Sequence, residues 1–173
     1  MTTTLSSRTG SMIDNYSRGL TLSAVIGAGV VAGVYFAFAT FVMPGLRRAP
    51  ASSAIGAFNG INKAAPASPL FMLVLFGTGI VSVLLMIWGL QHRDNPAAIW
   101  MLVGAGLYLV SLLVTMMYHV PHNEQLMKVD PHGSGAAATW TQFYSAWMGW
   151  NWVRTVTAMG GTISLVFALR PAK

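Results

Sequence analysis

The sequence predicts an all-α integral membrane protein, a four-helix bundle with a short interfacial helix between its first and second spans. Three observations predict it. Only 8% of the 173 residues are charged, against roughly 25% in an average soluble domain. Hydrophobic residues make up 54% and the mean hydropathy is +0.59, too apolar for a disordered chain and too poor in charge to solvate a globular surface. The charges present punctuate long uncharged runs: 28 residues between Arg18 and Arg47, 29 between Lys63 and Arg93, and 29 between Asp94 and Glu124. About 20 apolar residues let a helix cross the hydrocarbon core. Lipid cannot satisfy open backbone amides, so each run is expected to be helical.

Residues 1–15 are Ser/Thr-rich and read as a disordered tail ahead of one transmembrane domain over 16–170. Helix 1 is expected at about 19–43. Ala37-Phe38-Ala39 has the spacing of a signal-peptide cleavage site, but the apolar stretch exceeds the roughly 7–15 residues of a signal core, so the span is retained. Gly29-x-x-x-Gly33, continued by Ala37, forms a small-residue stripe that lets backbones approach closely. The stripe reads as packing within the bundle, with homo-oligomer formation as the alternative. Met43-Pro44-Gly45-Leu46 reads as a helix exit. In the stretch from Ala51 to Lys63, Ile55, Phe58 and Asn62 share one face, which gives the interfacial helix.

Helix 2 is expected at about 68–91 and helix 3 at about 96–120, where Pro121 lacks a backbone donor and collides with the Met117 carbonyl. Helix 4 is expected at about 139–169. Only 15 uncharged residues separate Arg154 from Arg170, so this span must take Arg154 inside, where it either snorkels to a nearby headgroup or faces the bundle interior and meets a partner. An even number of spans puts both termini on one side, and the loop bases lean weakly towards a cytoplasmic side. The ten bases are scattered at span edges, which fits lipid headgroups and argues against nucleic acid as a partner. The chain has no cysteine, which excludes disulfides, thiol catalysis and zinc–thiolate sites.

Polar residues gather at one end of the predicted bundle. Ser111, Thr115, His119 and His122 recur at spacings of four, four and three on helix 3, with Tyr118 beside them and Asn123 following. On helix 4, Trp140, Tyr144, Trp147, Asn151 and Arg154 share a face, and Trp150 stands four residues before Arg154, at cation–π spacing. Asn59 and Asn62 lie in the stretch that precedes helix 2. Arginine and asparagine suit a polar ligand better than lipid.

Two of these stretches carry a resemblance. HVPHNEQL over 119–126, followed by Trp147-x-x-Trp150-Asn151-x-x-Arg154, resembles the anthrone oxygenase-like family of small membrane proteins. The Met43-Pro44-x-Leu46 exit and the Ile61-Asn62 pair are similar too, and the resemblance covers about residues 20–168. The family pattern on helix 3 is Asn-x-Pro-x-Asn. Here Asn123 matches the second Asn and His119 replaces the first.

The resemblance implies an oxygenase that converts anthrones to anthraquinones with O₂ as co-substrate and no flavin, haem or other cofactor. Such chemistry needs a base poised near neutral pH, for which His119 and His122 are the candidates. It also needs donors for a developing oxyanion, for which Arg154 and Asn151 are the candidates. Asn62 and Asn123 would orient the substrate, and Tyr118, Trp147 and Trp150 would stack on a flat hydrophobic molecule. Two other readings stand beside this one. One is a copper-type or other transition-metal site on His119 and His122. The other is a non-catalytic membrane subunit or lipid-binding module.

Overall fold

The computed structural model describes residues 2–170, with side chains from residue 15 onward. The expected disordered tail over residues 1–15 falls, Asn15 apart, on residues outside that side-chain description. Among the described residues there is no strand.

The first rod comprises α1 (Thr2–Ala37), a π turn (Phe38–Val42) and α2 (Met43–Arg47). It continues past Met43-Pro44, where the sequence predicts an exit. Pro44 has no N–H and its ring collides with the carbonyl four residues back. The chain adjusts by inserting a residue, and the Met43 amide reaches Phe38 O, five residues upstream. After a short turn, α3 (Ala51–Ala67) starts behind Pro50 and carries Ile55 and Phe58 on its buried face. Ser68 then caps α4 (Pro69–Gln91). Its hydroxyl accepts from the Phe71 amide, and Pro69 takes the first helical position, where no donor is needed.

The same device recurs in the third rod. α5 (Ala98–Val114) passes into a π turn (Thr115–His119) and then into α6 (Val120–Leu126). The Val120 amide bonds to Thr115 O, again five residues back, just before Pro121. The helix therefore runs past the proline instead of ending at about residue 120. The last rod, α7 (Ala136–Ala168), is an unbroken helix of 33 residues.

Packing closes a ring: α1 lies against α4 and α7, and α5 lies against α4 and α7. α5 and α7 meet backbone to backbone at Gly104 and Gly161. A Cβ on Gly104 would stand 2.6 Å from Leu165 Cγ and 3.0 Å from Gly161 O, and one on Gly161 would stand 2.9 Å from Gly104 O. Gly27 makes a comparable approach to Thr78 where α1 meets α4. The stripe singled out in the sequence is not used in this way. A Cβ on Gly33 would meet nothing within 4 Å, and one on Gly29 would touch only Thr162. The residues beside the stripe, Ile26, Val30 and Phe36, are exposed on the outside of the ring.

Among the described residues three helices are long and apolar enough to cross a membrane: Asn15–Arg47, Pro69–Gln91 and Ala98–Leu126. Their outer faces carry exposed Leu73, Ile80 and Leu113, which suit lipid and not water. α7 falls outside that set. It has the length, but it carries Asn151 and Arg154 within its middle turns.

The Gly104–Gly161 crossing makes a direct prediction. Gly161→Val overpacks a backbone contact and is expected to destabilise the protein by about 1–3 kcal/mol. Gly33→Val, on open surface, is expected to change stability by less than about 1 kcal/mol. Thermal unfolding of the two variants in the same detergent checks the difference.

Candidate functional site

A cavity of about 560 Å³ opens at the end of the ring where both π turns lie. Its floor and walls come from α1, α3, α4, the second π turn, α6 and α7. Aromatic and aliphatic side chains dominate the lining, and the polar groups converge from α1, α3, the third rod and α7.

Arg154 is the deepest charged group. It is 7% exposed, and its guanidinium lies 4.0 Å from the centre of the Tyr35 ring and 5.1 Å from that of Trp147. Such stacking is worth about 2 kcal/mol or more when the cation is desolvated. The expected Trp150 contact is replaced by these two. Trp150 faces outwards and packs on Tyr118, whereas Trp147, seven residues before Arg154, shares its inward face.

The hydrogen bonds of Arg154 also go inwards. Its Nε donates to Asn151 Oδ1 at 2.9 Å, and its Nη1 reaches Thr115 Oγ1 at 3.5 Å. Asn151 is fully buried and ties the assembly to α1 by donating from Nδ2 to Tyr35 O at 3.1 Å.

Thr115 is the junction. Its hydroxyl donates to Ser111 O at 3.0 Å, which uses its one proton, so it accepts from Tyr35 OH at 2.9 Å and from Arg154. Every one of these Arg154 partners is neutral. Among the described residues the guanidinium has hydrogen bonds and rings around it, but its charge is left for something else to meet.

A second chain orients the asparagines. Trp147 Nε1 can only donate, and it donates to Asn123 Oδ1 at 2.9 Å. That fixes the amide, so Asn123 Nδ2 faces Asn62 Oδ1 at 2.9 Å. Asn62 Nδ2 then points at Met127 Sδ at 3.3 Å. The indole thus sets the orientation of both asparagines across α7, α6 and α3.

His119 borders the same cavity and is 1% exposed. Its Nδ1 lies 3.3 Å from Val114 O, a group that only accepts, which puts the proton on Nδ1. Nε2 is then left as a lone-pair acceptor, buried and without a hydrogen-bond partner. A buried unsatisfied group costs about 1–3 kcal/mol, and at a cavity wall such a group is a functional candidate. The Trp147 ring meets the imidazole edge to face at 5.0 Å.

The structure therefore divides the residues singled out in the sequence. Asn62, His119, Asn123, Trp147 and Arg154 line the cavity, and Asn151 stands behind Arg154. His122, Tyr118 and Trp150 do not line it. They form a stack beside it, with His122 3.9 Å from Tyr118 and Tyr118 5.0 Å from Trp150, and Tyr118 meets the His119 ring edge to face at 5.4 Å. The His122 Nδ1 is held by Tyr118 O at 2.7 Å. The π turn accounts for this. Its extra residue shifts the helical phase, so that Asn123 follows His119 into the cavity and His122 falls beside it.

Among the described residues no group of three or more His, Asp or Glu side chains is placed to hold a metal ion. Tyr35 and Phe38 on the first rod, Phe58 on α3, and Thr115 also line the cavity. Tyr35 is the sole tyrosine in the uncharged run from residue 19 to 46, a signal that would have marked it.

The sequence family described as anthrone oxygenase matches residues 56–164, more than half of the chain. The chain belongs to that family. The matched segment starts in α3 and ends in α7, so it includes all of these polar residues except Tyr35. No curated protein and no solved structure matches the chain.

Thr115→Val removes the acceptor of both Tyr35 and Arg154 and is expected to cost about 1–3 kcal/mol. Thr115→Ser keeps the hydroxyl and is expected to recover most of that. Unfolding of the two variants in one lipid or detergent background checks the ordering.

Proposed function

We propose that this member of the anthrone oxygenase family is a membrane-embedded oxygenase that acts on a flat, hydrophobic, anthrone-type substrate with O₂. Family membership supports the reaction class. The observation that carries the residue assignment is the pairing, in one apolar cavity, of the unneutralised Arg154 with the unpartnered Nε2 of His119. In this reading α7 is the fourth span of a four-helix bundle, α3 lies at the interface, and both termini face the cytoplasm.

The reaction divides into steps that these side chains serve. His119 Nε2 takes a proton from the methylene carbon of the anthrone, leaving an enolate whose charge sits on the former carbonyl oxygen. Arg154 meets that oxygen, with Asn151 and Thr115 acting as positioning residues for the guanidinium. The electron-rich enolate gives an electron to O₂, the radical pair recombines as a peroxide anion on the former methylene carbon, and the proton held by His119 returns to it to give the hydroperoxide. Loss of the remaining proton from that carbon breaks the O–O bond, releases water and leaves the second carbonyl. One anthrone and one O₂ thus give one anthraquinone and one water, with no further reductant or cofactor. Trp147 and Phe58 would hold the flat substrate, and Asn62 with Asn123 would fix its edge. His122, Tyr118 and Trp150 have no role in this scheme, because their stack stands off the cavity.

Purified protein in lipid nanodiscs, given an anthrone under air, is expected to consume O₂ above the uncatalysed rate. His119→Ala is expected to lower kcat by about 10²–10⁴-fold, and Arg154→Gln by about 10²–10³-fold. His122→Ala is expected to cost less than about tenfold, a far smaller loss than a general base supplies. Absence of O₂ uptake above background, or full activity in His119→Ala, sinks the reading.

A further inference from the structure

The cavity has a side opening. α4 packs along α5, but it does not pack along the second π turn or α6. The departure begins where the π turn starts, so a gap separates the first half of α4 from the segment after Val114, with α3 across one end. The exposed lining residues mark its edge: Phe76 on α4 is 41% exposed, Met116 and Val120 are 43% and 36%, and Ile61 on α3 is 36%. Phe76, Met116 and Val120 all lie within helices long and apolar enough to cross a membrane. Behind them the wall becomes buried through Leu75, Tyr35 and Trp147, and Arg154 lies at depth.

We infer that the cavity is loaded sideways from the lipid phase, through the mouth between α4 and the π turn–α6 segment, with a molecule that has an apolar body and a single oxyanion head. The apolar rim fits a body already dissolved in the bilayer. The head follows from Arg154, whose described hydrogen-bond partners are all neutral. The one carboxylate in the lining, Glu124, is exposed on α6 beyond the rim. An anion arriving from that direction would pass a like charge, while the path between Phe76 and Met116 carries none. This inference rests on the cavity and not on turnover, so it stands or falls separately from the oxygenase reading.

The test uses the full chain in nanodiscs and indole fluorescence, since Trp147 lines the cavity. The heavy-atom probe is 6-bromo-2-naphthoate, and its methyl ester has the same body without the charge. The expected result is saturable quenching by the acid, with affinity at least tenfold weaker for the ester and at least tenfold weaker in Arg154→Gln. Met116→Phe and Val120→Phe, which narrow the mouth, are expected to slow stopped-flow association about fivefold or more. Leu113→Phe, on the exposed outer face of α5, is expected to leave the rate as it is. Saturable quenching by 9,10-dibromostearate with the same dependence on Arg154 supports the proposal with a membrane acyl chain as the body. Equal binding of acid and ester overturns it, whether or not the Arg154 variant folds. An association rate unaffected by narrowing the mouth, or affected equally by Leu113→Phe, overturns the lateral route.

Discussion

A guanidinium buried, among the described residues, without a carboxylate is the constraint around which this end of the molecule is built. Burying a charge is costly unless it is paired or well hydrogen-bonded. The fold offsets that cost without cancelling the charge. Two aromatic faces cover Arg154, the Asn151 amide takes its Nε proton, and the Thr115 hydroxyl approaches its Nη1. A carboxylate partner would have been the simpler way to stabilise the helix, and it would have closed the site to anions. The neutral shell keeps the guanidinium in place while leaving its field directed at the cavity, where low dielectric makes it count for more than in water.

The rest of the local architecture follows from holding that shell together. Tyr35 belongs to the first rod, Thr115 to the third and Asn151 to the last, so three rods must meet within hydrogen-bond distance of one another. The two π turns bring them there. Each lies just before a proline, each replaces a four-residue hydrogen bond by a five-residue one, and each shifts the face that the next turn presents. In the second rod of this pair the shift places Asn123 in reach of Trp147, and it turns the His119 ring back onto Val114 O. It also separates α6 from α4, so the same distortion that assembles the polar groups opens the cavity to the side.

Much of this was legible in the sequence. Charge spacing located the apolar helices, because an uncharged run of nearly thirty residues has few other physical solutions. The spacing of Trp147, Asn151 and Arg154 put them on one face, and they share it. What escaped is what depends on neighbours. Pro121 announced a disturbance, but whether a proline ends, kinks or widens a helix is decided by packing on both sides. The choice of a π turn is what moved His122 out of the cavity. Spacing likewise favoured Trp150 as the ring beside Arg154, whereas a ring from another helix, Tyr35, lies closest. The Gly29–Gly33 stripe had the right pattern for a close crossing, yet the crossing formed at Gly104 and Gly161, where both partners are small.

The central claim is that the charge of Arg154 is held free to meet a bound oxyanion. Solid-state NMR tests it most directly, by measuring dipolar coupling between ¹⁵N-labelled arginine side chains and a carboxylate-¹³C-labelled naphthoate bound to the protein in lipid. The account predicts a coupling that corresponds to a carboxylate carbon about 3–4 Å from a guanidinium nitrogen, as in a charge-assisted pair, and its disappearance in Arg154→Lys. A bound naphthoate that shows no arginine coupling, or one whose coupling survives in Arg154→Lys, would contradict it.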